Sequence, residues 1–124
     1  MKILVAEDDI MMRKTIEFRL KKDGHTVCTV PDGRDALQQI SEGVFDLVIT
    51  DVMMPFASGL EIISAVKKKE FKIPVIVLSG MGQENIVLEA FQLGADDYIT
   101  KPFSPNELSM RVKRFTPQSD NAIT

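Results

Sequence analysis

The sequence predicts an α/β domain built on a doubly wound, five-stranded parallel sheet. Three observations point there. Short apolar runs alternate with amphipathic stretches five times over, and strict strand–helix alternation implies parallel strands with helices on both faces. The run Ile73–Leu78 is apolar on both alternating sides, as a strand buried on both faces requires. The chain has 124 residues, 44% of them hydrophobic and 27% charged, which suits one domain with a packed core. Five units are too few for a closed eight-fold barrel.

The first run is Ile3–Ala6, ended by Glu7, Asp8 and Asp9. Met12, Ile16 and Leu20 recur at i, i+4, i+8 and mark a helix that Gly24 stops. Thr26–Val30 is β-branched and more polar, which reads as a strand near the sheet edge. Pro31-Asp32-Gly33 is a turn, and Ala36, Leu37 and Ile40 give a short helix ending at Gly43. Phe45–Thr50 is the third strand and delivers Asp51 at its carboxyl end. After a loop over 52–59, Leu60, Ile63 and Val66 mark a helix that finishes in Lys67-Lys68-Lys69, where cations favour the helix dipole. Ile73–Leu78 carries Ser79 at its end. Asn85–Leu93 is a helix terminated by Gly94, and Asp97–Thr100 is a short strand leading to Lys101-Pro102. Ser104, Pro105 and Glu107 provide an N-cap, a proline at N1 and a capping-box acid for a helix running through Leu108, Val112 and Phe115. Residues 1–116 form the expected domain, and the polar stretch over 117–124 reads as a linker or tail.

Composition excludes several classes. Fifteen Lys+Arg against 18 Asp+Glu give a net charge of −3, so there is no polybasic nucleic-acid footprint. A lone cysteine, Cys28, rules out an internal disulfide or a Cys-rich zinc site. The start, MKILVAEDD, meets acids too early for a signal peptide, and no apolar run approaches the roughly 18 residues of a membrane span. A soluble, cytoplasmic domain is the expectation.

In an open parallel sheet, ligands bind beyond the carboxyl ends of the strands. There the first strand presents Glu7, Asp8 and Asp9, the third Asp51, the fourth Ser79 and the fifth Lys101. Gathered carboxylates repel one another, and a divalent cation removes the difficulty. Oxygen ligands on a water-accessible rim suit Mg²⁺. Zinc is disfavoured, because neither Cys28 nor His25 falls at that rim. A metal held by one or two carboxylates also holds phosphate, to which Lys101 and Ser79 can offer a positive charge and a hydrogen bond. No G-x-x-x-x-G-K-[ST] or G-x-G-x-x-G is present, so the phosphoryl donor must come from elsewhere. Asp51 is the acid placed to accept a phosphoryl group.

Residues 3–9 (ILVAEDD), Asp51-Val52-Met53-Met54-Pro55 with Gly59, and residues 94–103 (GADDYITKPF) together resemble a bacterial two-component response-regulator receiver domain. The resemblance covers residues 2 to about 115, and the last of these runs is most similar to the CheY-like receivers of the OmpR/PhoB type. It implies the strand order 2-1-3-4-5, a flavodoxin-like (βα)5 arrangement. It implies Asp51 as phosphoacceptor, with Asp8 on Mg²⁺ directly, Glu7 through water, and the Met53 carbonyl as a further ligand. Asp9 falls one place past the acid pair. Ser79 resembles the hydroxyl that follows the phosphoryl group, Tyr98 the aromatic switch, and Lys101 the cationic partner, its bond to Pro102 being cis. Met53 and Met81 flank the phosphoryl group by family position and would screen attacking water.

The resemblance further implies phosphoryl transfer from a sensor histidine kinase or phosphotransfer protein, with slow autodephosphorylation and no conventional enzyme activity. The face of helix 4, strand 5 and helix 5 would then be remodelled to control a homodimer or an output partner in transcription regulation, with DNA reached only through a separate output domain. Asp96, Asp97, Glu107 and Arg111 fit the ion pairs that ring such dimers. Helix 4 departs from the pattern, with Ile86 and Val87 where an acid and a base are usual. That implies either a weaker dimer or a more apolar patch for another protein. Two rivals stand beside this reading. A haloacid-dehalogenase-type phosphohydrolase would want an acid two residues after the nucleophile, where Met53 stands. A phosphorylation-independent interaction module would lack part of the constellation.

Overall fold

The structure, a computed structural model, describes residues 1–117. Most of the stretch expected as a linker or tail, from residue 118 onward, lies outside the described residues. Five strands, β1 (Lys2–Ala6), β2 (Thr26–Val30), β3 (Leu47–Asp51), β4 (Val75–Ser79) and β5 (Asp97–Thr100), alternate with five helices. The helices are α1 (Ile10–Lys22), α2 (Gly33–Glu42), α3 (Gly59–Lys69), α4 (Glu84–Leu93) and α5 (Pro105–Lys113). The sheet is entirely parallel, in the order β2-β1-β3-β4-β5.

The alternation of side chains along each strand divides the core in two. Ile3, Val5, Leu47, Ile49, Ile76, Leu78 and Ile99 face α1 and α5, meeting Ile16, Leu20, Leu108 and Val112. Leu4, Ala6, Val48, Val75 and Val77 face the opposite layer, meeting Ala36, Ile40, Ile62, Ile63, Val66 and Ala90 from α2, α3 and α4. β3 and β4 are buried at every position, whereas β2 is buried only at Val30, as an edge strand should be.

Local chemistry sets the boundaries. Asp9, Asp32, Ser58 and Ser104 each accept a hydrogen bond from the main chain three residues on, opening α1, α2, α3 and α5. Asp32 therefore does more than turn the chain, since α2 begins at Gly33. α4 ends at Gly94, whose φ of +117° is the left-handed conformation that glycine tolerates. Two strands start later than their apolar runs suggest. Phe45 packs in the core, but Asp46 is engaged with the main chain of Lys2, and the regular ladder begins at Leu47. Pro74 has no N–H for the ladder, so β4 begins at Val75. α5 likewise stops at Lys113, short of Phe115.

Candidate functional site

Because all five strands run the same way, their carboxyl ends share one rim. β1 ends beside β3, with Ala6 opposite Thr50. This register carries Glu7 and Asp8, just past β1, to Asp51, the last residue of β3. Glu7, Asp8 and Asp51 each offer an oxygen, all within 4.8 Å of one another. Glu7 is fully buried, Asp51 nearly so, and Asp8 is exposed.

Lys101 arrives from the far side, beyond β5. Its main-chain N–H donates to the Ser79 carbonyl at 2.7 Å, fixing the start of its side chain. Its Nζ lies 2.6 Å from Asp51 Oδ2 and 2.7 Å from Glu7 Oε1. One ammonium thus bridges carboxylates from two strands. The Lys101–Pro102 peptide is cis. Ser79 is the last residue of β4 and only 3% exposed. The main-chain N–H of Met53 donates to Asp51 Oδ1 at 3.3 Å.

The electrostatics follow from burial and pairing. Burial pushes the Glu7 carboxyl above the usual glutamate range. The adjacent Lys101 ammonium and the hydrogen bond from the Asp9 N–H pull it back only in part, and the charge of Asp51 adds to the rise. For Lys101, burial alone would lower the pKa, but the bonds to Asp51 and Glu7 outweigh it and hold the ammonium above the ordinary lysine value. Lys101 is therefore a permanent cation at neutral pH.

The donor set fits a hard divalent cation. The three acids gathered there each offer a carboxylate oxygen, the ligand chemistry of Mg²⁺ rather than zinc. Glu7 Oε1 is buried and makes no hydrogen bond of good geometry, although the Lys101 ammonium lies close enough for an ion pair. A buried acceptor left in that state carries a desolvation penalty that a cation or its bound water would relieve.

Glu7, Asp8, Asp51, Ser79 and Lys101 meet at this rim, whereas Asp96 and Asp97 lie beside the opposite end of β4, near Val75 and Ile76. Tyr98 lies on β5, 42% exposed, with its ring edge-on to Phe91 at 5.9 Å and 89°. Asp9 sits next to the acid cluster but is spent as the α1 N-cap, and its own N–H donates to Glu7 Oε2 at 3.1 Å. Ile86 and Val87 do not form an apolar outer patch on α4. Val87 is buried and Ile86 packs against the core, so the exposed large apolar side chains of this helix are Leu88, at 62%, Phe91 and Leu93. The ion pairs of β5 and α5 close within one chain. Arg111 and Arg114 both hold Asp97, at 2.9 and 3.0 Å, Arg111 lies 3.7 Å from Glu107, and Asp96 pairs with Lys67 at 3.0 Å.

Sequence reasoning missed two contributors. Arg13 Nη1 donates to the Glu7 carbonyl at 2.8 Å, tying α1 to the acidic turn. Its position one turn into the helix after the acids was the available signal, but a lone arginine carries no motif. Gln83 Oε1 accepts from the Gly80 N–H, binding the residue after Ser79 to the start of α4. An isolated glutamine before a helix gave no cue at all.

The family model for the response regulator receiver domain matches residues 3–113. The chain is 42% identical over 112 residues to the probable transcriptional regulator ycf27 of Galdieria sulphuraria, covering 90% of this chain and 44% of that protein. It is 35% identical over 121 residues to the alkaline phosphatase synthesis transcriptional regulatory protein PhoP of Bacillus subtilis, covering 98% of this chain and 50% of that protein. The chain thus spans about half the length of the curated relatives it matches. Its structure matches that of the Francisella response regulator 1452 receiver domain with a TM-score of 0.83 and 34% identity, over 92% of this chain and 94% of that one. Since the matched segment runs from the first strand to the last helix, the chain belongs to the response regulator receiver domain family of two-component systems, and its curated homologues are transcriptional regulators.

Proposed function

We propose that this domain is a phosphorylation-activated switch whose phosphoacceptor is Asp51. Receiver domains are signalling domains rather than conventional enzymes. The family implies a histidine kinase as partner, an output domain, and Mg²⁺ at an acidic pocket. The observation that carries the reading is the Lys101 ammonium lying between Asp51 and Glu7, with Asp8 alongside.

In the transfer, the N–P bond of a phosphohistidine breaks as a bond forms between phosphorus and an Asp51 carboxylate oxygen. The imidazole leaves with the bonding pair and takes up a proton. Lys101 offsets the negative charge gathering on the phosphoryl oxygens in a loose transition state. Glu7, Asp8, Asp51 and the Met53 carbonyl are the groups that would hold Mg²⁺, which when bound neutralises phosphoryl charge. Ser79 then follows the phosphoryl group and Tyr98 responds, changing the face of α4, β5 and α5. Met53 and Met81, both exposed, shield the phosphoryl group from water and set the rate of autodephosphorylation. The remodelled face controls a homodimer or an output partner in transcription regulation, and DNA is engaged through the output domain.

The test is incubation with Mg²⁺ and acetyl phosphate, followed by intact-mass measurement. Wild type is expected to gain one phosphoryl group and Asp51→Asn none. A wild-type protein that gains no mass, or an equal gain in the variant, overturns the assignment. Size exclusion with and without beryllofluoride tests the dimer, and an unchanged mass counts against phosphorylation-driven association.

A further inference from the structure

The segment between Ser79 and α4 is held in an unusual way. Gln83 occupies the N-cap position of α4, yet its side chain caps no N–H of that helix. Its carboxamide oxygen instead turns back to the Gly80 N–H at 2.5 Å. Gly82, with φ of +81°, lets the chain close this turn. An N-cap side chain ordinarily serves the first turn of its own helix. Here α4 forgoes that cap, and the loop gains a tether.

Gly80 directly follows Ser79, and the two residues help line a groove of about 380 Å³ with Glu84, Val87, Phe91 and Tyr98. The tether therefore fixes the main chain between the serine at the site and the helix on the Tyr98 side. We propose that the Gln83–Gly80 hydrogen bond holds the β4–α4 loop in its unphosphorylated arrangement and sets the threshold of the switch, making Gln83 a positioning residue. This rests on the reading of Asp51 as phosphoacceptor and of Ser79 as the hydroxyl that follows the phosphoryl group. When Ser79 moves toward that group, Gly80 moves with it, while its N–H is pinned to the start of α4. A bond present in one arrangement and broken in the other biases the equilibrium between them by its own net worth. For a partly exposed hydrogen bond that worth corresponds to about a three- to tenfold change in the equilibrium constant.

The experiment measures beryllofluoride affinity, in the presence of Mg²⁺, for wild type, Gln83→Leu and Gln83→Ser. Leucine removes the acceptor. Serine also cannot reach Gly80 but belongs to the residue types favoured at helix starts, so it guards against reading fraying of the helix as loss of the tether. Both variants are expected to bind beryllofluoride about three- to tenfold more tightly than wild type. Without any ligand, the Gly80 amide proton resonance is expected to move upfield in both, as its hydrogen bond is lost. Equal or weaker affinity in the variants, an unmoved Gly80 resonance, or a serine variant that returns to wild-type affinity overturns the tether. Failure of the underlying reading looks different: wild type itself then takes up neither beryllofluoride nor a phosphoryl group from acetyl phosphate.

Discussion

Gly59 is where the strand carrying Asp51 touches the helix that follows it, and alanine there tests how tightly the site is built into the fold. A Cβ on Gly59 would lie 2.4 Å from the Asp51 carbonyl oxygen and 2.8 Å from Val52 Cα. Both are main-chain atoms, and the first contact is about 1 Å inside ordinary van der Waals distance. The neighbourhood has little freedom to give, because the Gly59 N–H donates to the Val52 carbonyl at 3.0 Å and the Val52 N–H to that of Leu78 at 3.1 Å. Forcing a methyl group into such a contact costs about 1–3 kcal/mol. For a domain of this size, about 2 kcal/mol lowers the melting temperature by about 8 °C. The strain falls on the main chain of Asp51, and a misplacement of about 1 Å can slow a positioned reaction about a hundredfold. The expected result for Gly59→Ala is therefore both a lower melting temperature and slower phosphorylation by acetyl phosphate. Gly43→Ala is the control: its Cβ would approach nothing closer than 3.4 Å, and its expected change in melting temperature is small. Melting and phosphorylation of Gly59→Ala indistinguishable from those of Gly43→Ala would refute the argument.

Other outcomes follow from the same geometry. Mg²⁺ at a hundredfold excess over its dissociation constant should raise the unfolding free energy by about 2.7 kcal/mol, an increment that Asp8→Asn sharply reduces; calorimetry with Mg²⁺ or with chelator checks it. Gly33→Ala should destabilise as Gly59→Ala does, since its Cβ would meet the Ala57 carbonyl oxygen at 2.0 Å; an unchanged urea midpoint would refute this. Ser104→Ala removes the side-chain acceptor for the Glu107 N–H and should cost about 1 kcal/mol, read from urea unfolding. Burial, aided by the Met1 ammonium, holds the His25 pKa below 6.5. The unfolded chain then binds more protons between the lowered value and 6.5, so stability rises with pH across that window. His25→Gln should flatten that part of the curve, and equal slopes in the two proteins would contradict the assignment.

The arrangement of strands was legible because parallel burial leaves a plain mark: Ile73–Leu78 is apolar on both faces, and Thr26–Val30 is not. The rim was legible for the same reason, since each polar site residue stands just where an apolar run stops. What escaped was phase and partnership. In α4, Ile86, Val87, Leu88, Ala90, Phe91 and Leu93 are all apolar, so periodicity alone does not say which side faces inward. Packing turns Val87 and Ala90 inward and leaves Leu88 outside. The charges of Asp97 and Arg111 were readable, but their pairing within one chain depends on how α5 lies against β5. The side-chain bonds of Arg13 and Gln83 to main-chain atoms are set by loop conformation, which leaves no periodic trace.

The edge-on contact between Phe91 and Tyr98 also equips the molecule with its own optical reporter. Tyr98 is the sole tyrosine, and the chain has no tryptophan. Ultraviolet emission excited near the phenol band therefore originates from a single ring, at the junction of β5 and α4. Quenching by iodide or acrylamide would read out directly whether that ring has left its neighbour, with no dye attached and no residue replaced.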